Sequence, residues 1–292
     1  ALGGPLVKNK LLLFGNYEGY RQNLGLSDVT YVPDNATRTA AVPSVQPLLA
    51  LWPVQDAELG QGSGIAYSHP LQHIREDFGT TRLDYNISSL DTASAVYTID
   101  DSTASTPTAN PFSSDFETLR EQVLSGQEQH VFSSSTLNTF RVGFSRAAYY
   151  FTGETPVGIA GWVAGKPIGA VVVGGGTALN GASQITLAGT NAGSNLSVAR
   201  NLFTTADHVY ITRGKNQLEA GFWLQRIQSN SNLAQDQYGQ ASFSSISNFA
   251  NGLVSTFTVV PSATELGWRS LEVAVFVQDT VHLWPNFELR AG

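Results

Sequence analysis

Residues Thr205 to Gln228 constrain the fold more than any other stretch. Two alternating runs flank a polar turn, Arg213-Gly214-Lys215-Asn216. After the turn, Leu218, Ala220, Phe222 and Leu224 share one face of an extended strand. Gln217, Glu219, Gly221 and Gln225 share the other, with Trp223. Before the turn, Val209 and Ile211 alternate with His208, Tyr210 and Thr212. Successive strand side chains point to opposite faces, so this is a hairpin with one apolar and one mostly polar face. The run after the turn is about as long as a membrane-spanning strand requires, roughly 9–11 residues.

Composition narrows what the apolar face can meet. Charged residues make up 13% of the chain, against about 25% in soluble domains. The hydrophobic share is 42% with a mean hydropathy of −0.07, far from that of a helical membrane protein. No apolar run of helix-spanning length occurs; the nearest, 157–173, is interrupted by Lys166-Pro167. Low charge with abundant Gly, Ser, Thr and Asn suits an outer-membrane barrel, and equally a secreted β-sandwich or β-solenoid. The net charge of −7 excludes the basic footprint of nucleic-acid binding. Cysteine is absent, which removes disulfides and thiolate metal sites. The chain starts at Ala1 and ends within what reads as a strand, Phe287 to Gly292, so it is expected to be a piece of a longer protein.

Further alternating segments predict strands at Lys10–Arg21, Thr80–Ser88, Thr92–Asp100, Glu117–Phe132, Thr136–Phe151 and Leu271–Leu283, with a new strand starting at Phe287. Long connections are expected over 22–75, 101–115, 152–200 and 230–268, with one short helix at Val45–Leu51. Short turns alternate with these connections, as they do in a transmembrane barrel. A soluble sandwich has less reason for that alternation.

Motifs for covalent chemistry are weak. His69 and His73 are separated by Pro70 and lack the glutamate of H-E-x-x-H. Gly174-Gly175-Gly176 and Gly165-Lys166-Pro167 lack the ending of a phosphate loop. Phe144-Ser145-Arg146 lacks the flanking glycines of a nucleophile elbow. Asp100-Asp101 reads as a solvated loop edge that would need several more oxygen ligands to hold calcium. No metal, cofactor or enzymatic activity is expected.

Five words in the sequence, in order, resemble a known family. Leu2 to Gly19 (LGGPLVKNKLLLFGNYEG) resembles the G-G-P-x-x-K-x-K-x-F-F-F-x-x-Y-E-G opening of Oar-like TonB-dependent outer-membrane transporters, common in Acidobacteria. Arg82 to Ser88 (RLDYNIS) and Tyr97 to Asp101 (YTIDD) resemble its R-x-D-Y-x-x-S strand and the partner of that strand. Phe132 to Ser145 (FSSSTLNTFRVGFS) resembles F-S-P-T-x-x-N-E-F-R-x-G-F, with Ser for the usual Pro. Thr212 to Gly221 (TRGKNQLEAG) resembles x-x-G-K-H-x-L-K-x-G, and Phe276 to Leu289 (FVQDTVHLWPNFEL) resembles F-x-Q-D-x-W-x-x-x-P-x-L-T-L.

The resemblance implies an all-β fold: part of an antiparallel transmembrane β-barrel, roughly 8–10 of about 22 strands, with long extracellular loops. Residues 1–292 would form the N-terminal part of the barrel, with plug and C-terminal strands outside it. It also implies active uptake of an unidentified ligand (siderophore, glycan or peptide), with TonB, the plug domain and outer-membrane lipid as partners. Arg82, Asp84, Arg141, Glu219, Gln225, Glu272 and Gln278 would face the lumen or plug. Leu83, Tyr85, Phe140, Val142, Phe144, Leu218, Phe222, Leu224, Val273, Val275 and Val277 would face lipid. Some of Tyr17, Tyr97, Tyr149, Tyr150, Trp223 and Trp284 are expected to form interfacial girdles. A passive porin or adhesin barrel, or a soluble secreted β-domain whose polar residues simply face water, remains the alternative. An open half-barrel would leave two sheet edges unpaired.

Overall fold

The computed structural model describes residues 1–155, 157–174, 184–190, 195–260 and 264–292. In chain order the strands are β1 (Leu2–Val7), β2 (Leu11–Gly25), β3 (Asp28–Pro33), β4 (Ala57–Gly60), β5 (Ser63–Ser68), β6 (Leu71–Asn86), β7 (Asp91–Pro107), β8 (Ser114–Ser133), β9 (Thr136–Glu154), β10 (Ala170–Val173), β11 (Ala188–Gly189), β12 (Asn195–Arg213), β13 (Asn216–Asn232), β14 (Gln240–Phe243), β15 (Thr256–Thr258), β16 (Glu265–Trp284) and β17 (Phe287–Ala291). Two short α-helices, α1 (Asn35–Ala40) and α2 (Ile246–Ala250), and a 3-10 helix at Gln46–Leu51 complete the described elements. The 3-10 helix falls where the sequence predicts a short helix.

Ten strands form one sheet in the order β1-β2-β6-β7-β8-β9-β12-β13-β16-β17, each antiparallel to its neighbours. Strands β1 and β17 are its edges. The opening hairpin forms as expected, with Arg213 paired to Asn216. Gly214 takes φ +63° at the first central position of its turn, the position that a type II′ hairpin reserves for glycine.

The strands are longer than the sequence predicts, and three expectations change with them. The chain opens with an extra strand, β1, ahead of the predicted first strand. Residues 101–107 continue β7 and do not begin a loop, which shrinks the 101–115 connection to 108–113. A 20-residue strand such as β8 or β16 is about 66 Å long at 3.3 Å per residue. Tilted by about 45°, it rises about 47 Å, whereas the apolar band of such barrels is about 25 Å tall. In a barrel of that geometry only about half of such a strand would face hydrocarbon. No described helix is long and apolar enough to cross a membrane.

The third change concerns the other long connections, which fold together. Strands β3, β5 and β4 form one small sheet. Strands β11, β10, β14 and β15 form another, in which β10 runs parallel to β14. One hydrophobic core joins all three connections. Residues 26–70 supply Val32, Val45, Leu49, Leu51 and Trp52; 155–194 supply Ile168, Val171, Val173 and Ile185; 233–264 supply Phe243, Ile246 and Phe249. Phe249 packs edge-on against Trp52 at 5.4 Å and Phe243 at 5.1 Å. Nearly all fully buried side chains of the described residues lie here and not on the large sheet. The connections thus make a cap with a dry core at one end of the sheet.

Polar side chains lock the cap. Asp34 caps α1 by accepting from the Thr37 N–H at 2.7 Å, and Ser245 caps α2 by accepting from the Asn248 N–H at 3.1 Å. Arg38 donates to the carbonyls of Pro33, Leu49, Trp52 and Pro53 at 2.5–3.1 Å. Burial of this guanidinium lowers its pKa, so the four carbonyls are what keep the charge tolerable there. Asn110, fully buried in the short 108–113 connection, bridges the 26–70 and 155–194 connections. Its amide donates to the carbonyl of Leu51 at 2.9 Å and that of Leu187 at 3.3 Å. Trp52 Nε1 donates to the Thr186 carbonyl at 2.6 Å.

Two outcomes follow for hydrogen exchange of the complete protein. Phe249→Ala removes the ring at the centre of the cap and costs it about 3–5 kcal/mol; amides of 26–70 and 233–264 lose protection while the large sheet keeps its own. Asn110→Ala leaves the buried Leu51 carbonyl and the part-buried Leu187 carbonyl without this donor, at about 1–3 kcal/mol, and deprotects the cap at the junction of the 26–70 and 155–194 connections.

Candidate functional site

In an antiparallel pair, residues directly opposite each other lie on the same face. The register therefore carries each face across the sheet. One row runs Tyr85–Ala93–Glu128–Phe140–Asp207–Phe222–Val275, and the next Leu83–Ala95–Gly126–Val142–Thr205–Leu224–Val273. Phe144, Leu218 and Val277 lie on this same face. All eleven residues predicted for the apolar face thus share it. It is open: Val275 is 78% exposed. Phe144 and Phe203 touch across β9 and β12, with ring centroids 5.1 Å apart.

The opposite face carries the polar set. One row runs Asp84–Ser94–Gln127–Arg141–Ala206–Trp223, and its neighbour Arg82–Val96–Ser125–Gly143–Thr204–Gln225–Glu272. Glu219 opposes Gln278 on the same side. The side chains satisfy one another. Arg82 donates to both Asp84 oxygens, at 2.6 and 2.8 Å. Arg141 Nε donates to Gln127 Oε1 at 2.9 Å, and Gln278 Nε2 to Glu219 Oε2 at 2.5 Å. His208 Nδ1 lies 3.3 Å from Glu219 Oε1. A 540 Å³ hollow opens between Arg82, Arg141, His208 and Trp223. Gly143 keeps its floor low: a Cβ there would come within 2.3 Å of Thr204 Oγ1. Such a wall offers donors and acceptors to a polar surface or solute.

Sequence reasoning did not select His208 and Gln127, although both share the face of the selected residues. It also missed Asp91, Glu128 and His130, whose candidate metal-ligand atoms all lie within 4.8 Å of one another. They sit on β7 and β8 and meet only through the register; Ser88 Oγ also donates to Asp91 Oδ2 at 2.5 Å. The Asp100-Asp101 expectation is corrected. Both residues are in strand β7, not at a loop edge, and point to opposite faces. Asp101 is taken by Arg75 and Arg120, so the two cannot converge on one cation. His69 and His73 have separate partners, Ser27 and Asn23. Of the Gly174–Gly176 run, residues 175 and 176 lie outside the described residues. Among the expected girdle aromatics, Tyr17, Tyr97 and Tyr150 share the apolar face, whereas Tyr149 and Trp223 are on the polar one.

A solved structure of similar fold and a family model agree with this architecture. The outer membrane transporter YddB from Escherichia coli superposes with a TM-score of 0.54 at 10% sequence identity, over 99% of this chain and 32% of the transporter. The chain thus spans about a third of that protein, and the likeness is one of fold. The siderophore receptor PiuA from Acinetobacter baumannii aligns with a TM-score of 0.34 at 12% identity, over 94% of this chain and 40% of the receptor. No curated protein matches the chain. The outer membrane beta barrel domain family matches residues 39–292. With its ten-stranded antiparallel sheet and alternating short and long connections, the chain belongs to the outer membrane beta barrel domain family and is a protein of the outer membrane.

Proposed function

We propose that this chain is a stretch of the barrel wall of a TonB-dependent outer-membrane transporter of the Oar-like type. The apolar face, with Phe140, Phe222 and Val275, lies in lipid. The polar face, with Arg82, Asp84, Arg141, Glu219, Gln225, Glu272 and Gln278, lines the lumen and meets the plug. Hydrocarbon accepts a strand face only if it is apolar, and the opposite face of the same strand is then free to be polar. The fold is compatible with a role in transport or reception and supplies no enzymatic constellation among the described residues.

The observation that carries the reading is the cap. Its core includes Trp52, Ile185 and Phe249, drawn from three connections far apart in sequence. A surface held rigid before the ligand arrives loses less entropy on binding, which favours selective capture. A diffusion pore gains nothing from it. Ligands too large or too scarce for diffusion, of the siderophore, glycan or peptide class, fit this arrangement. Family membership removes the soluble β-domain, leaving a passive porin or adhesin as the rival.

Uptake decides between them. Cells expressing the complete protein are given radiolabelled ferric siderophores, malto-oligosaccharides and oligopeptides, with and without TonB. The transporter reading expects accumulation of one class to fall at least about tenfold without TonB, while surface binding of that class persists. Equal accumulation in both strains would establish the porin instead.

A further inference from the structure

The apolar face does not stay apolar along the strands. One row runs Tyr97–Leu124–Phe144–Phe203 and then reaches Arg226, opposite Phe203. The next row toward the cap runs Gln122–Arg146–Asn201–Gln228–Arg269. The row beyond it runs Asp101–Arg120–Ala148–Ala199–Asn230–Gly267. On the other side of β7, Arg21 and Arg75 face each other across β2 and β6. Six strands of the sheet thus each place one arginine on this face, in the zone where the apolar rows end.

Charge is sorted by the same register. The acids of these rows are Asp77 and Asp101, which arginines already hold, and Glu265, which the register sets in the row of Arg21 and Arg75. Arg21 lies 2.6 Å from Asp77, Arg75 bridges Asp77 and Asp101, and Arg120 lies 2.9 Å from Asp101. Arg146 and Arg269 have only neutral partners, Asn201 and Asn230, each at 2.8 Å. Glu18, Glu76, Asp100, Glu117 and Glu121 lie on the opposite face. The chain as a whole carries −7, yet this zone is net positive. Beside it lies an 820 Å³ hollow, floored by Ala148, Ser197, Ala199 and Gly267 and walled by Arg120 and Asn230, with Asp101, already paired to Arg120, and Glu265 at its margin.

We propose that Arg21, Arg75, Arg120, Arg146, Arg226 and Arg269 form a belt that binds the phosphorylated headgroups of outer-leaflet glycolipid, with the small-residue hollow seating one headgroup. The proposal rests on reading the apolar face as the lipid face. Whatever sits directly on the hydrocarbon at this height is headgroup, so the belt is continuous with the apolar surface below it. A guanidinium presents a planar pair of donors that matches phosphate oxygens. Its long stem lies along apolar surface while the head stays in the polar zone. The small residues leave room that a bulky row would fill.

The test uses the complete protein in detergent, with lipid A and enzymatically dephosphorylated lipid A as probes, and native mass spectrometry as readout. Phosphorylated lipid A is expected to bind at least about tenfold more tightly, and the preference is expected to vanish in an R120Q/R146Q/R226Q/R269Q variant. Folding of the variant is checked by its heat-modifiable gel mobility. Arg226→Gln alone breaks no ion pair of the structure and is expected to weaken binding about threefold. Glu18→Gln and Glu121→Gln, on the other face, leave binding unchanged. Equal affinity for the two lipids, or full affinity in both arginine variants, overturns the belt. A fluorophore on Val275→Cys separates the causes. If doxyl lipid quenches it while phosphate has no effect, the belt alone fails; if it is not quenched, the lipid-face reading fails as well.

Discussion

A strand in hydrocarbon can send its backbone N–H and C=O groups only to the strand beside it. The rest of this structure depends on that ladder. Between β9 and β12, β12 and β13, and β13 and β16 it runs without a register shift from one end of the pairing to the other. A slip of one residue would move every side chain of a strand to the other face. The unbroken ladder is therefore what keeps Phe140, Phe222 and Val275 together on one side and Arg141, Trp223 and Glu219 together on the other. Register shifts are confined in this sheet to positions beside turns or edges, at Pro5/Val7, Val131/Ser133 and His282/Trp284.

The same chain solves a second problem by other means. The large sheet has no dry core of its own among the described residues, whereas the cap has one. Water surrounds the cap, so its stability comes from removing apolar area from water, about 1.5–3 kcal/mol for each large side chain fully buried. Trp52, Phe249 and the valines of β10 do this work, with Arg38 and Asn110 tying the connections together. On the proposed reading the sheet and the cap answer to different solvents, with the arginine rows at the boundary between them.

How far the sequence could be read follows that boundary. Near the turns, where one face is apolar and the other polar, Leu218 to Leu224 and Leu271 to Val277 show the strand and its face directly. Farther out both faces are polar, and the alternation fades. Residues 101–107 are rich in Ser and Thr and read as loop, although they pair along their length with β8. Strand β1 escaped notice because Gly3, Gly4 and Pro5 are poor strand residues; Pro5 is tolerated at an edge, where one side of the strand need not donate. The cap was invisible for another reason. Its core residues come from three segments separated by whole strands, and no local period connects Trp52 to Ile185 or Phe249. Asp91, Glu128 and His130 were hidden likewise, since only register brings them together. The polar wall was more legible, because Arg82, Asp84, Arg141 and Glu219 each alternate with an apolar neighbour.

The central claim is that one face of each strand meets lipid and the other does not. The chain contains no cysteine, so single cysteines can be placed at each position from Leu218 to Gln225. Each is labelled with a small fluorophore in the complete protein, reconstituted in bilayers containing doxyl lipid. The account expects strong quenching at 218, 220, 222 and 224 and weak quenching at 219, 221, 223 and 225, an alternation of period two. Uniform quenching along β13, or alternation in the opposite phase, would contradict it.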